Sequence, residues 1–261
     1  MTTNVVVITG ASSGIGLEFV RRIDTHFSNV DEIWLIARSR SRLQELAAAG
    51  RHKMRVLAMD LTKEAQLDRL EDMLEEKRAK IRLLVHCAGY GLTGKFSELP
   101  LEGQLGMVRL NCEALTHLTY RCLPYMCRNS RMIQLASAAA FLPQPGFAVY
   151  GATKSYVLSF SRALGEELRG RGIYVTGVCP GPVDTPFFDI AGKIGTDTAL
   201  RKIAYMKKLS LVTAEVVVTK ALRDSYLKRP VSVVGLPMQI FQILAKYLPH
   251  QWLLQAMTDA S

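Results

Sequence analysis

Tyr150 and Lys154 stand four residues apart in Y-G-A-T-K, at the start of a stretch with helical periodicity, so both side chains project from one helix face. That pairing suits acid–base chemistry. A nearby ammonium stabilises phenolate and draws a tyrosine down from its ordinary pKa of about 10 toward the operating pH, where the hydroxyl can exchange a proton with a substrate oxygen. Ser137 follows a strand-like run in Q-L-A-S-A-A-A and is expected at the same edge, placed to hydrogen-bond that oxygen. Asn111, in R-L-N-C-E, is a buried amide whose partners have to be accounted for, and by itself it reads as structural. An isolated Y-x-x-x-K is an ordinary helix pair; the serine turns the reading toward catalysis.

A second cluster lies at the amino end. T-G-A-S-S-G-I-G contains Gly10, Ser12, Ser13, Gly14, Ile15 and Gly16, and a helix is expected to begin near Ile15. The glycines permit a tight turn and let backbone N–H groups and the positive end of a helix approach a pyrophosphate. The Gly-Lys-Ser/Thr of a P-loop is missing. In dinucleotide sites the end of the second strand carries an acid for NAD or a base for a 2′-phosphate. Here it reads W-L-I-A-R: Arg38 takes the place, Asp31 and Glu32 precede the strand, and Arg40 and Arg42 follow. NADP(H) is the cofactor expected.

These residues need a scaffold that brings them to one edge. Short aliphatic or β-branched runs recur at 5–8, 33–36, 54–58, 83–85, 132–135, 174–178 and 231–234, separated by helical periodicity at 43–49, 65–74, 157–168 and 214–227. Alternating strands and helices predict a Rossmann-type α/β fold, a doubly wound parallel sheet of about seven strands with helices on both faces. The runs are apolar on consecutive residues, as sheets covered on both sides require. Ligands of such sheets gather beyond the carboxyl ends of the strands.

No linker-like stretch divides the 261 residues, so 1–261 reads as one domain. The net charge of +10 is spread along helical stretches rather than gathered into a basic block interleaved with aromatics, which argues against a nucleic-acid partner. Five cysteines, an odd count without C-x-x-C or metal-ligand spacing, indicate reduced thiols and no metal site. Met1 runs almost directly into an apolar strand without a basic n-region or a cleavage signal, so a cytoplasmic location is the default expectation.

Taken jointly, T-G-A-S-S-G-I-G, Asp60-Leu61, Asn111, Ser137, Tyr150-x-x-x-Lys154 and Pro180-Gly181-Pro-Val-Asp-Thr185 follow the order of motifs in the short-chain dehydrogenase/reductase family. The chain resembles that family's compact branch. The resemblance implies an oxidoreductase that interconverts a ketone or aldehyde with an alcohol. It implies Tyr150 as general acid or base, Ser137 orienting the substrate oxygen, and Lys154 tuning Tyr150 while binding the nicotinamide ribose. Asn111 would hold a water completing a proton relay. Asp60, with Leu61, is expected at the adenine, Cys87, Ala88 and Gly89 near the adenosine ribose, and Pro180, Gly181, Val183 and Thr185 at the nicotinamide. One departure stands out: the family's Asn-Ala-Gly is here Cys87-Ala88-Gly89, so the amide's hydrogen bonds to neighbouring backbone are lost.

After Thr185, residues 186–212 read as a substrate flap, in which Phe187 and Phe188 either line an apolar pocket or anchor the loop to the core. A C-terminal extension, 236–261, begins with an apolar stretch too short for the roughly 18 residues of a membrane span. Ile240, Phe241, Leu244, Tyr247 and Leu248 share one helical face and are expected to be buried, over the pocket or against another subunit, with peripheral membrane contact less favoured. The substrate expected is a lipophilic ketone such as a steroid. A 3-oxoacyl-carrier reductase is the enzymatic alternative and a dinucleotide-sensing regulator the non-enzymatic one, and the resemblance implies a homodimer or homotetramer.

Overall fold

The computed structural model describes residues 2–185 and 212–253. Seven strands form one sheet: β1 (Thr3–Thr9), β2 (Glu32–Ala37), β3 (Lys53–Ala58), β4 (Ala79–His86), β5 (Met126–Leu135), β6 (Tyr174–Cys179) and β7 (Val231–Val233). Their order is β3-β2-β1-β4-β5-β6-β7, and every neighbouring pair is parallel. The strand order reverses between β1 and β4, so the crevice beyond those two carboxyl ends is the place for a ligand.

Side chains alternate between the two faces of each strand. Val6 and Ile8 of β1 pack with Ile33 and Leu35 of β2 against Phe19, Val20 and Ile23 of helix α1 (Gly14–His26), Leu43 of α2 (Arg40–Ala48) and Val217, Val218 and Ala221 of α7 (Ala214–Tyr226). Val5, Val7, Trp34 and Ile36 turn the other way. They meet Leu67, Leu70 and Leu74 of α3 (Glu64–Glu76), Leu118 and Cys122 of α5 (Leu115–Cys122), and Leu164 and Leu168 of α6 (Ala148–Leu168). Covering both faces is what demands consecutive apolar residues in the strands, and all seven expected runs are strands.

Helix α4 (Leu101–Val108) runs into α5 through a wider, π-helical turn, Arg109–Ala114. Helix α6 buries Tyr150, Lys154, Val157, Ser161, Leu164 and Leu168, spaced three or four apart, so the reactive pair belongs to the same stripe that anchors the helix to the sheet.

The last helix, α8 (Leu236–Tyr247), does not lay the expected face over the pocket of its own chain. Ile240, Leu244, Tyr247 and Leu248 are exposed, and of the face expected to be buried Phe241 alone is partly covered. Gly235, in the left-handed region at φ 86°, and Pro237 in the first turn set the direction of the helix. Gln239 Nε2 donates to the Val233 carbonyl at 3.3 Å, and the side bearing Met238, Phe241 and Ala245, which are covered in part or in full, faces the domain. Periodicity identifies the residues of one face, whereas the turn that starts a helix decides which face turns inward. No helix among the described residues is long and apolar enough to cross a membrane.

Candidate active site

Helix α1 begins where β1 ends. Gly10 has φ 65°, and a Cβ there would come within 2.8–2.9 Å of backbone atoms of Cys87 and Ala88 after β4; a Cβ on Gly16 would sit 2.2 Å from the Gly10 carbonyl oxygen. Glycine is therefore required at both positions for the loop to close between β1 and β4. Ser13 caps α1 in extended conformation without a side-chain hydrogen bond, and the first turn carries no acid. The first N–H groups of α1 thus keep the positive end of the helix available to an anion. Ser12, Ser13, Gly14 and Ile15 are partly buried there, and a Cβ on Gly14 would lie 3.5 Å from the Thr185 side chain, which brings the segment after β6 over the same loop. This cradle fits a dinucleotide pyrophosphate.

Thr9 is a residue the motif contained but whose work was not foreseen. Its Oγ1 accepts hydrogen bonds from the N–H groups of both Cys87 and Ala88 at 3.1 Å. The turn after β4 is therefore tied to β1 by a hydroxyl, although the family's amide is absent at Cys87. Burial pushes the Cys87 thiol up to about 12, against the opposing charge of Lys154, which makes it a poor nucleophile.

Arg38 and Arg42 are exposed just beyond β2 and on α2. The charge of Arg38 reaches Asp60, after β3, and Tyr90, after β4, so it lies along the carboxyl edge of the sheet. Burial alone would raise the Asp60 carboxyl; hydrogen bonds from Thr62 and the charges of Lys63 and Arg38 outweigh it, and the net shift is downward. Leu61 is buried in the core beside it.

The four reactive candidates converge. Ser137 follows β5, its Oγ accepts from Ala139 N–H at 3.2 Å, and the next amide, Ala138 N–H, donates to the Pro180 carbonyl at 2.9 Å. That bond joins the loops after β5 and β6. The Ser137 hydroxyl hydrogen-bonds the Tyr150 phenol. Lys154 Nζ donates to the Leu135 carbonyl at 2.7 Å and lies 5.8 Å from the centre of the Tyr150 ring. Asn111, in the π-helical turn, is fully engaged: Oδ1 accepts from Tyr90 N–H at 3.1 Å, and Nδ2 donates to the Tyr90 carbonyl at 2.9 Å and to Thr153 Oγ1 at 3.0 Å. Thr153 passes the link on by donating to the Tyr150 carbonyl at 2.8 Å. Tyr90 and Thr153 were not anticipated, though Thr153 sits inside Y-G-A-T-K. Gly89 leaves room for this arrangement, since a Cβ there would come 2.9 Å from Asn111 Oδ1 and 3.6 Å from Lys154 Nζ.

Electrostatics correct one expectation. Burial against Leu92, Ala139 and Phe147 pushes the Tyr150 phenol up to about 12, with the Ser137 hydrogen bond pulling the other way. Burial also brings Lys154 down to about 8, against the influence of Cys87, Cys112 and Cys179. Burial is the largest influence on the phenol, so it is not held near neutrality. Phe187 and Phe188, and nearly all of the expected flap, lie outside the described residues.

On the far side, Met238 of α8 packs on Gly181, its Sδ 2.9 Å from where a Cβ would stand. Phe241 meets Phe141, in the loop after β5, at 6.4 Å between ring centres.

Residues 4–193 match the family model of the short chain dehydrogenases, and the chain belongs to that family. It is 32% identical over 200 residues to an uncharacterized oxidoreductase of Staphylococcus epidermidis, covering 76% of this chain and 84% of the relative. It is 33% identical over 187 residues to a serine 3-dehydrogenase of Agrobacterium fabrum, covering 70% and 73%. Among solved structures, a short-chain dehydrogenase from Sphingobium yanoikuyae in complex with NADPH superposes with a TM-score of 0.76 at 29% identity, over 98% of this chain and 93% of that one. The protein is accordingly an oxidoreductase with a nucleotide-binding Rossmann fold.

Proposed function

We propose that the protein is an NADP(H)-dependent enzyme interconverting a ketone or aldehyde with an alcohol, with a lipophilic substrate such as a hydroxysteroid. The observation that carries the reaction is the Ser137–Tyr150 hydrogen bond with Lys154 fixed beneath the ring. In reduction the carbonyl carbon gains a hydride and the oxygen a proton. A nicotinamide dinucleotide, when bound, supplies that hydride. Tyr150, a neutral phenol at physiological pH, gives the proton from its hydroxyl. Ser137 donates a hydrogen bond to the same oxygen, and Lys154 presents a positive charge that eases the departure of the proton. Asn111 holds the α4–α5 segment to Tyr90 and α6, and so keeps Tyr150 in place.

For the cofactor, the loop Gly10–Gly16 would take the pyrophosphate, and Arg38 with Arg42 the 2′-phosphate. Asp60 and Leu61 would take the adenine, Cys87, Ala88 and Gly89 the adenosine ribose, and Pro180, Gly181, Val183 and Thr185 the nicotinamide end. Support for NADP(H) comes from the exposed Arg38 at the end of β2 and from the NADPH carried by the Sphingobium relative. Support for an apolar substrate comes from Met238, packed on Gly181, and from Phe241 of the same helix, which meets Phe141. The likeness to a serine 3-dehydrogenase favours a second reading, a small polar alcohol. The single sheet supports one catalytic domain, which we place in the cytoplasm as a homodimer or homotetramer.

Titration with NADPH and NADH, followed by turnover with steroid ketones, 3-oxoacyl thioesters and small hydroxy acids for wild type and Tyr150→Phe, tests the proposal. Tight NADPH binding and steroid reduction lost in the variant support it. Turnover of small polar substrates alone rejects the lipophilic reading, and NADPH binding without any Tyr150-dependent turnover rejects the enzyme.

A further inference from the structure

The opposite end of the sheet bears a different cluster. The register sets Arg131 of β5 beside Tyr174, the first residue of β6. The Arg131 guanidinium lies 5.6 Å from the centre of the Tyr174 ring and 5.3 Å from that of Tyr226, and the Lys228 ammonium lies 4.6 Å over Tyr174. Arg131 Nη2 also donates to the Tyr226 carbonyl at 3.3 Å. Arg128 is laid across Gly172, where a Cβ would meet its Cγ at 2.9 Å, and Arg171 donates to the Leu123 carbonyl at 3.4 Å. Arg82, on β4, donates to the Cys127 thiol at 3.2 Å.

Five cations thus crowd the amino ends of three neighbouring strands, and among the described residues none of them is paired with a carboxylate. Asp224, two residues before Tyr226, is taken by Lys220 and Arg229. Burial, with Arg82 adding to it, lowers the Arg131 guanidinium from its ordinary value, and the Tyr174 phenol is lowered by a hydrogen bond from Lys228 and by the charges of Lys228, Arg128 and Arg131. The turns bordering the cluster hold three residues in the left-handed region, Asn129 (φ 68°), Gly172 (φ 69°) and Lys228 (φ 60°). For a lysine that conformation is uncommon. Like charges are held together by stacking and by strained turns, with no counter-charge among the described residues.

We propose that this basic, tyrosine-braced edge docks an acidic segment of a partner protein. Strands stand about 4.8 Å apart, so three of them spread the cations over roughly 10 Å, and guanidinium groups pair with carboxylates through strong, charge-assisted hydrogen bonds. The ring faces that would stack nucleic-acid bases already carry Arg131 and Lys228, and Tyr226 is the large side chain that stands well exposed beside them. A protein partner therefore fits better than a single-stranded nucleic acid. Arg131 and Ser137 are separated by six residues of extended chain, about 20 Å, so a docked segment leaves the reactive edge open.

The test uses the full chain with a fluorescent ten-residue glutamate peptide, a ten-nucleotide thymidine oligomer and phosphatidylserine vesicles. The triple variant Arg128→Gln, Arg171→Gln, Lys228→Asn removes the exposed cations. A control variant, Arg21→Gln, Lys63→Gln, Arg69→Gln, lowers the net charge equally elsewhere. The expected result is saturable peptide binding that weakens at least tenfold from 50 to 300 mM salt and at least tenfold in the first variant but less than threefold in the control, with melting temperature unchanged in both and turnover unchanged in the first. Absence of peptide binding, equal weakening in both variants, or tighter binding of the oligomer or vesicles through the same residues overturns the proposal.

Discussion

The ammonium of Lys154 donates to the carbonyl oxygen of Leu135 at 2.7 Å, two residues before Ser137. One contact therefore fixes α6 against the end of β5 and sets Tyr150 and Ser137, which those two elements carry, at a constant separation. The same contact holds a cation in a buried place.

That burial makes stability depend on pH in a definable direction. Native Lys154 gives up its proton near about 8, whereas an unfolded lysine keeps its own to about 10.4. Between the two the unfolded state binds more protons, so raising the pH favours the fold. Lys154→Met removes this dependence. The melting temperature of the variant relative to wild type should be highest at pH 7 and fall by several degrees by pH 10.5, as calorimetry across that range would show. Turnover should drop at least about a hundredfold, the scale of a lost acid–base contribution.

The reaction itself should be asymmetric. Tyr150, with its phenol near about 12, is already protonated for reduction, and Lys154 loses its charge as the pH passes about 8. The rate of carbonyl reduction is expected to be flat from pH 6 to about 7.5 and to decline above that. Alcohol oxidation, which needs the phenol to accept a proton, should rise with pH over the same interval. Initial rates in both directions with one substrate pair would decide this, and parallel profiles would mean that the proton leaves from another group.

Much of this arrangement is visible without coordinates, and the parts that are not share a cause. Seven strands are legible because burial on both faces forces apolar residues at successive positions, and Ser137, Tyr150 and Lys154 are legible because helical spacing and strand ends bring them to one edge. The partners of Asn111 are not, since Tyr90 and Thr153 meet it only through the π-helical turn Arg109–Ala114. The inward side of α8 is hidden for a like reason, being set by Gly235. The elevated phenol of Tyr150 depends on how completely Leu92, Ala139 and Phe147 enclose it, and a sequence does not state enclosure.

Thr9 offers a sharp test of the loop. Thr9→Val keeps the shape of the side chain but leaves the Cys87 and Ala88 N–H groups without their acceptor, at a cost of about 1–3 kcal/mol. Urea midpoints should fall accordingly and cofactor affinity with them, while Thr9→Ser should retain both. Equal losses in the two variants would point to packing of the methyl group instead.

Cofactor choice rests on Arg38. The residue stands at the end of β2, where a carboxylate would meet the ribose hydroxyls of NAD, and its charge is felt at Asp60 and Tyr90 on the neighbouring strand ends. Arg38→Asp replaces an attraction for a 2′-phosphate by a repulsion. The dissociation constant for NADPH should rise at least about tenfold, equivalent to 1.4 kcal/mol, while that for NADH stays level or falls. Fluorescence titration of both cofactors against wild type and variant reads this directly. If the ratio of the two constants does not move, the phosphate is held by another cation, and Arg42, one helical turn further on α2, is the one to replace next.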